Sequence, residues 1–242
     1  MGVGAGHLPP VSYFKTIDGR EKMKFQAVIF DLDGVICYTD EYHYRAWKIL
    51  ADELDIPFDR SVNNRLRGVS RMESLEIILE KYTGPALGEE EKLRLAAKKN
   101  DLYRDSLKDM NPTDLSAEVK ETLDAIRQKG YQMAIGSSSK NTPFILRQIG
   151  LDGYFDAISD GNNITNSKPD PEVFLKAADM LRIDPAVCLV VEDAVSGAEA
   201  AHRGGMKAAC VGDAFQKRAG DYNLSSLREL LSILDADEAK PE

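Results

Sequence analysis

Short apolar runs alternate with stretches of helical periodicity along most of this chain. FQAVIF (25–30) is the first such run; YQMAI (131–135), FDAI (155–158), VCLVV (187–191) and MKAACV (206–211) follow in the second half. Their continuous apolar character predicts strands buried on both faces, as in a parallel sheet. Helical segments separate them. AEVKETLDAIRQKG places Val119, Leu123 and Ile126 on one face, with Gly130 where a C-terminal cap belongs. TPFILRQIG has Pro143 near its start and Gly150 past its end, and SGAEAAHRGG precedes MKAACV in the same way. The pattern predicts an α/β fold with a doubly wound, Rossmann-like parallel sheet.

The stretch from about Thr39 to Met110 is helical throughout, in EYHYRAWKILADEL, RMESLEIILEKY and EEEKLRLAAKKNDLYRDSL. No strand candidate interrupts it, which predicts a helical-bundle cap inserted after the first strand. The expected organisation is a flexible extension over 1–23, a core from 24–38 and 112–225, a helical cap over 39–111, and a C-terminal helix with a disordered tail, DADEAKPE, within 226–242.

A chain of 242 residues with 43% hydrophobic and 29% charged positions has the make-up of an ordinary globular protein. A net charge of -9 argues against a general nucleic-acid or anionic-membrane binder, while leaving room for a local cationic pocket. Cys37, Cys188 and Cys210 lie far apart beside apolar runs, which suits buried reduced thiols in a cytoplasmic protein. No apolar stretch approaches the roughly 20 residues that cross a bilayer. The first 24 residues contain no apolar run of the secretory type. Small molecules, not nucleic acid or membrane, are the expected partners, and a monomer is the expected state.

In open α/β sheets ligands bind beyond the carboxyl ends of the strands. The first strand delivers Asp31 and Asp33 there, and the second Ser137, Ser138, Ser139, Lys140 and Asn141. The third leads to Lys168 in NSKPDP, and the fourth delivers Glu192 and Asp193. Carboxylates at that density call for a cation, and an all-oxygen set that leaves room for phosphate favours Mg²⁺. Hydroxyls, backbone amides and Lys168 would complement phosphoryl oxygens, so the inventory points to phosphoryl transfer. Singly, each piece has a plainer explanation: a polar turn at D-x-D-G, an N-cap at Asn141 or Thr142, a solvated Lys168, acidic residues before a helix. Their ordered appearance at four successive strand ends is what outweighs those explanations.

DLDGV, GSSSKN, SKPDP and VVEDA, in that order, resemble the four motifs of the haloacid dehalogenase superfamily. The helical insertion after the first motif resembles its small-cap subclass. EYHYRAWK, RLRGVSR and AAKKND resemble substrate-contacting segments of its sugar phosphomutases. The likeness covers about Phe25 to beyond Gly212. It implies interconversion of β-D-glucose 1-phosphate and D-glucose 6-phosphate through an aspartyl phosphate and β-D-glucose 1,6-bisphosphate. By the same resemblance Asp31 is the nucleophile, Asp33 the general acid/base, and Mg²⁺ is held by Asp31, Asp193, Glu192 and the Asp33 carbonyl. Ser137 and Lys168 hold the transferring phosphoryl group; Arg71, Ser139, Lys140 and Asn141 hold the second phosphate. Gly68, Val69, Ser70, Trp47 and Lys99 line the sugar side, and His43 helps position Asp33. His43 and Trp47 are four residues apart on one helix, so they share a face, which would equally suit an aromatic stripe packed on its neighbours. Tyr38 departs from the aspartate usual at its position, and Ser138 is a smaller variation.

Two alternatives stand beside the mutase: a sugar-phosphate phosphatase with water as acceptor, and a sugar-phosphate-binding module without catalysis. Intact Asp31, Asp33, Lys168 and Asp193 argue against the module.

Overall fold

The computed structural model describes residues 14–15, 21–22, 25–66 and 69–238. Within the expected extension, Phe14–Lys15 (β1) pairs antiparallel with Glu21–Lys22 (β2). The rest of that extension, and the last four residues of the expected tail, lie outside the described residues.

The apolar runs become the strands of one parallel sheet: Ala27–Phe30 (β3), Gln132–Gly136 (β4), Ala157–Ser159 (β5), Cys188–Glu192 (β6) and Lys207–Cys210 (β7). Tyr222–Asn223 adds a short edge strand, β8, giving the order β5-β4-β3-β6-β7-β8. Every neighbouring pair is parallel. The central strand β3 is wholly buried, as a strand covered on both faces must be. Val28 and Phe30 pack with Leu123, Ile126 and Ile145, from the helices Ala117–Gln128 (α5) and Thr142–Gln148 (α6). Ala27 and Ile29 pack on the other face with Phe174, Ala177 and Ala201, from Glu172–Leu181 (α7) and Val195–Arg203 (α8). Two short apolar layers thus clamp the sheet, as the doubly wound pattern predicts. Gly130, with φ +83°, closes α5 where only glycine is unstrained.

The four helices between β3 and α5 are Asp40–Glu53 (α1), Arg60–Asn64 (α2), Arg71–Leu79 (α3) and Glu89–Leu107 (α4). They bury a cluster of their own around Trp47, Leu50, Phe58, Leu75 and Ile78. After the sheet come a short helix, Gly212–Gln216 (α9), and a last one, Glu229–Glu238 (α10). Half of the expected disordered tail is therefore helical. Asp237 accepts a hydrogen bond from the Phe25 amide at 2.7 Å and Lys129 pairs with Asp235, so these charges anchor the helix instead of loosening it. Among the described residues no helix is long and apolar enough to cross a membrane. The three cysteines are buried and unbonded.

What the sheet does for function follows from its register. Phe30 lies level with Ile135 on β4 and Val191 on β6, so three strands end together. The chain crosses from one side of β3 to the other between β5 and β6, opening a crevice at that end.

Candidate active site

Asp31 leaves β3 with its amide donating to the Val191 carbonyl at 2.9 Å, and Asp33 follows after the wholly buried Leu32. A tight turn returns the chain: the Ile36 and Cys37 amides donate to the Leu32 carbonyl, and Gly34 donates to the Cys37 carbonyl at 2.7 Å. Gly34 has φ +88°, and a Cβ there would overlap the Asp193 carboxylate. The glycine therefore brings the acidic end of β6 against the loop that carries Asp31 and Asp33.

Lys168 is buried between two carboxylates, donating to Asp31 Oδ1 and, at 2.6 Å, to Glu192 Oε1. Burial opposes its charge, yet the two carboxylates win and hold the ammonium above the ordinary lysine range. Burial pushes the Asp31 carboxyl well up; Lys168 opposes this, and Glu192, Asp193 and Asp33 add to it. Asp33 is pushed up by burial too, against a hydrogen bond donated by Thr39 that favours the carboxylate. Two neighbouring carboxyls held by different partners suit the division between nucleophile and proton carrier. The resemblance gives the positioning of Asp33 to His43. The direct contact instead comes from Thr39, the residue preceding α1, because its short side chain lies on the same loop as Asp33.

At the end of β4 the loop folds on itself. The Ser139 amide donates to Ser137 Oγ at 3.1 Å and the Asn141 amide to Ser139 Oγ at 3.2 Å. Each serine keeps its hydroxyl proton to donate to an anion. Gly161 closes against the Ser138 carbonyl and Lys140, where no Cβ would fit. Ser138 Oγ is buried without a partner. Asn141 occupies the N-cap of α6 but its side chain makes no capping bond; its Nδ2 donates to Asn100 Oδ1 at 3.0 Å.

The helical insertion supplies the opposite wall. Lys99 is buried, 2.8 Å from His43 Nδ1 and 4.7 Å from the centroids of the Trp47 and Tyr103 rings. Burial and the nearby Arg71 bring its pKa down to about 7, partly offset by Asp33. His43 stacks on Tyr103 with centroids 4.0 Å apart and is held well below its usual range by burial, Lys99 and Arg71, so it is neutral. Trp47 belongs both to the apolar cluster of the insertion and to the cavity wall, so the His43–Trp47 face both packs on its neighbours and lines the cavity. Arg71 donates to Asn100 Oδ1 at 2.7 Å. Ser70 caps α3 reciprocally with Glu73, which occupies its oxygen but leaves its proton free.

Between these walls lies one cavity of about 550 Å³, a size that suits a small-molecule ligand. It gathers Asp31, Asp33, Ser137, Lys168, Glu192 and Asp193 with His43, Trp47, Val69, Ser70, Arg71, Lys99, Ser139, Lys140 and Asn141. Gly68 lies outside the described residues. Thr39, Asn100 and Tyr103 escape sequence reading. Asn100 and Tyr103 fall one and four positions after Lys99 on α4, so a helical wheel drawn from that lysine would have put Tyr103 on its face.

Among the described residues no three acidic, histidine or cysteine side chains converge as a ready metal cage. The expected ligand Glu192 is committed elsewhere: Oε1 accepts from Lys168, Oε2 accepts from the Ala194 amide at 2.8 Å, and its side chain fills the space over Gly197. Asp31, Asp193 and the Asp33 carbonyl would supply an all-oxygen set. The surplus of carboxylates around Lys168 still fits a hard divalent cation that keeps several waters.

A family model for haloacid dehalogenase-like hydrolases matches residues 25–205. The chain is 41% identical over 218 residues to the β-phosphoglucomutase of Bacillus subtilis, covering 84% of this chain and 94% of that one. It is 32% identical to a phosphorylated carbohydrates phosphatase of Thermotoga maritima, over 75% of this chain and 82% of the other. The crystal structure of β-phosphoglucomutase from Clostridium difficile superposes with a TM-score of 0.82 at 34% identity, covering 88% and 96% of the two chains.

Proposed function

Since the chain belongs to the haloacid dehalogenase-like hydrolase family, we propose that it is a sugar phosphomutase interconverting β-D-glucose 1-phosphate and D-glucose 6-phosphate. One observation supports the reading: a single cavity is lined by enough cationic and hydrogen-bond donors to receive two phosphates. We assign Ser137 and Lys168, which donates to Asp31, to the reacting phosphate, and Arg71 and Asn141, which share Asn100, to the second together with Ser139 and Lys140. A simple hydrolase needs only the first group.

In this mechanism Asp31 carries a phosphoryl group as an aspartyl phosphate, which splits one hard transfer into two easier ones. The sugar hydroxyl attacks phosphorus, the bond to Asp31 breaks, and Asp33 takes the hydroxyl proton. The resulting β-D-glucose 1,6-bisphosphate turns over, its other phosphate moves to Asp31, and Asp33 returns the proton to the departing oxygen. Lys168 and Ser137 neutralise and orient the transferring group; Arg71, Ser139, Lys140 and Asn141 hold the other phosphate. His43, Trp47, Val69, Ser70, Lys99 and, by the resemblance, Gly68 face the sugar. Asp31, Asp193 and the Asp33 carbonyl would hold a Mg²⁺, which would supply charge neutralisation at the phosphoryl oxygens. The helical cap excludes water from the aspartyl phosphate.

A phosphatase acting on phosphorylated sugars is the competing reading, favoured by the 32% identity to the Thermotoga enzyme. A coupled assay on β-D-glucose 1-phosphate, with bisphosphate and Mg²⁺, separates the two. Glucose 6-phosphate is the expected product; inorganic phosphate without glucose 6-phosphate would sink the mutase.

A further inference from the structure

The C-terminal half of α4, in the insertion, runs along α6 of the core. At one end Gln148 Nε2 donates to the carbonyls of Lys108 and Met110 at 3.3 and 3.2 Å. In the middle the Arg104 guanidinium lies 5.7 Å from the Phe144 ring centroid. At the cavity end Asn141 donates to Asn100. Positions 100, 104 and 108 follow one side of α4, and 141, 144 and 148 one side of α6, each about a turn apart. The seam therefore starts where the insertion rejoins the core and ends at the cavity.

Its last contact is unusual. Asn100 Oδ1 accepts from two groups at once: Arg71 Nη2 on α3 at 2.7 Å and Asn141 Nδ2 on α6 at 3.0 Å. Asn141 gives up the ordinary capping bond of its helix for this contact. A neutral carbonyl thus orients one donor from each side of the cavity without cancelling the guanidinium charge. Arg71 has five N–H donors and Asn141 two, so each keeps a proton for an anion. A carboxylate at position 100 would make the same two contacts but would repel a phosphate.

We propose that Asn100 is a positioning residue that couples capture of the non-reacting phosphate to closure of the cap, and so decides how often water reaches the aspartyl phosphate. The proposal rests on the mutase reading of the site. When water does reach it, the phosphorus–oxygen bond to Asp31 breaks, inorganic phosphate leaves and the Asp31 carboxylate returns. Phosphate release relative to glucose 6-phosphate formation therefore reports closure.

The test compares wild type, Asn100→Ala and Asn100→Asp in the full chain, measuring KM for β-D-glucose 1,6-bisphosphate and that product ratio. Asn100→Ala leaves Arg71 and Asn141 unoriented; KM and the phosphate ratio should each rise about tenfold, the effect of one charge-assisted hydrogen bond. Asn100→Asp should raise KM by a similar factor through charge competition while its phosphate ratio stays near the wild-type value, because the seam contact survives. A purely structural role would move the ratio in both variants together. That outcome, or wild-type KM and ratio in Asn100→Ala, overturns the proposal. Failure of the mutase reading would show separately, as a wild-type chain that releases only phosphate, and the Ala-against-Asp comparison would then be read on phosphate release at limiting substrate.

Discussion

The Thr39 hydroxyl donates to Oδ1 of Asp33, so the carboxyl proposed to move the proton is held by the residue at the base of α1. Burial raises the Asp33 pKa and this bond, which favours the charged form, pulls it back. Thr39→Val keeps the shape and removes the donor, so the Asp33 pKa rises further. The limb of the pH–kcat/KM profile that reports Asp33 ionisation should move to higher pH, with a loss of about tenfold in kcat. A profile superimposable on the wild type would show that Thr39 does not tune Asp33.

Lys168 offers a test of charge balance. It is the buried cation between Asp31 and Glu192, and Lys168→Ala strands two carboxylates in the interior. Such a truncation costs about 3 kcal/mol or more, because the remaining charges lose their partner. In chelator-treated buffer the denaturation midpoint should fall accordingly, and saturating Mg²⁺ should recover part of the loss by neutralising Asp31. Phosphoryl transfer should be lost in both buffers. Wild-type stability without metal would mean that the carboxylates have another source of neutralisation.

Gly34→Ala tests how the acidic ends of β3 and β6 are brought together. At φ +88° an alanine pays about 1–2 kcal/mol for the left-handed backbone, and its Cβ displaces the Asp193 carboxylate. The Mg²⁺ concentration for half-maximal activity should rise about tenfold, a loss of one well-placed ligand interaction. An unshifted Mg²⁺ titration would remove Asp193 from the proposed ligand set.

The strands could be read because each is a short, continuously apolar run, and Asp31, Ser137 and Glu192 could be placed because they follow such runs directly. Tyr222–Asn223 could not: two half-buried residues carry no periodicity, and β8 exists only because β7 offers it an edge. The role of Glu192 also escaped. VVEDA shows two acids in a row, but only the fold reveals that Lys168 and the Ala194 amide take one of them. Asn100 is a similar case. Its neighbours Lys99 and Asp101 are charged and draw attention, whereas its own contacts lie 29 and 41 positions away. Sequence shows what a strand delivers to the rim; it does not show which delivered groups pair with one another.

Lys99 carries the most informative pH dependence. Its pKa falls from 10.5 to about 7, first through burial, then through Arg71, with Asp33 opposing. Between about pH 7 and 10.5 the unfolded chain keeps a proton here that the folded chain has released. By linkage, stability at this position rises with pH across that window, and the penalty is fully present below pH 7. Lys99→Met retains the apolar stem against Trp47 and Tyr103 and abolishes the charge. The variant should melt several degrees above the wild type at pH 6, with the advantage shrinking steadily toward pH 10. Removing the ammonium also frees His43, whose pKa Lys99 helps to depress, so its imidazole should titrate closer to its usual range by NMR. Substrate KM should rise, because Lys99 lines the cavity and is proposed to face the sugar. Parallel melting curves for the two proteins from pH 6 to 10 would mean that Lys99 keeps an ordinary lysine pKa in the folded chain.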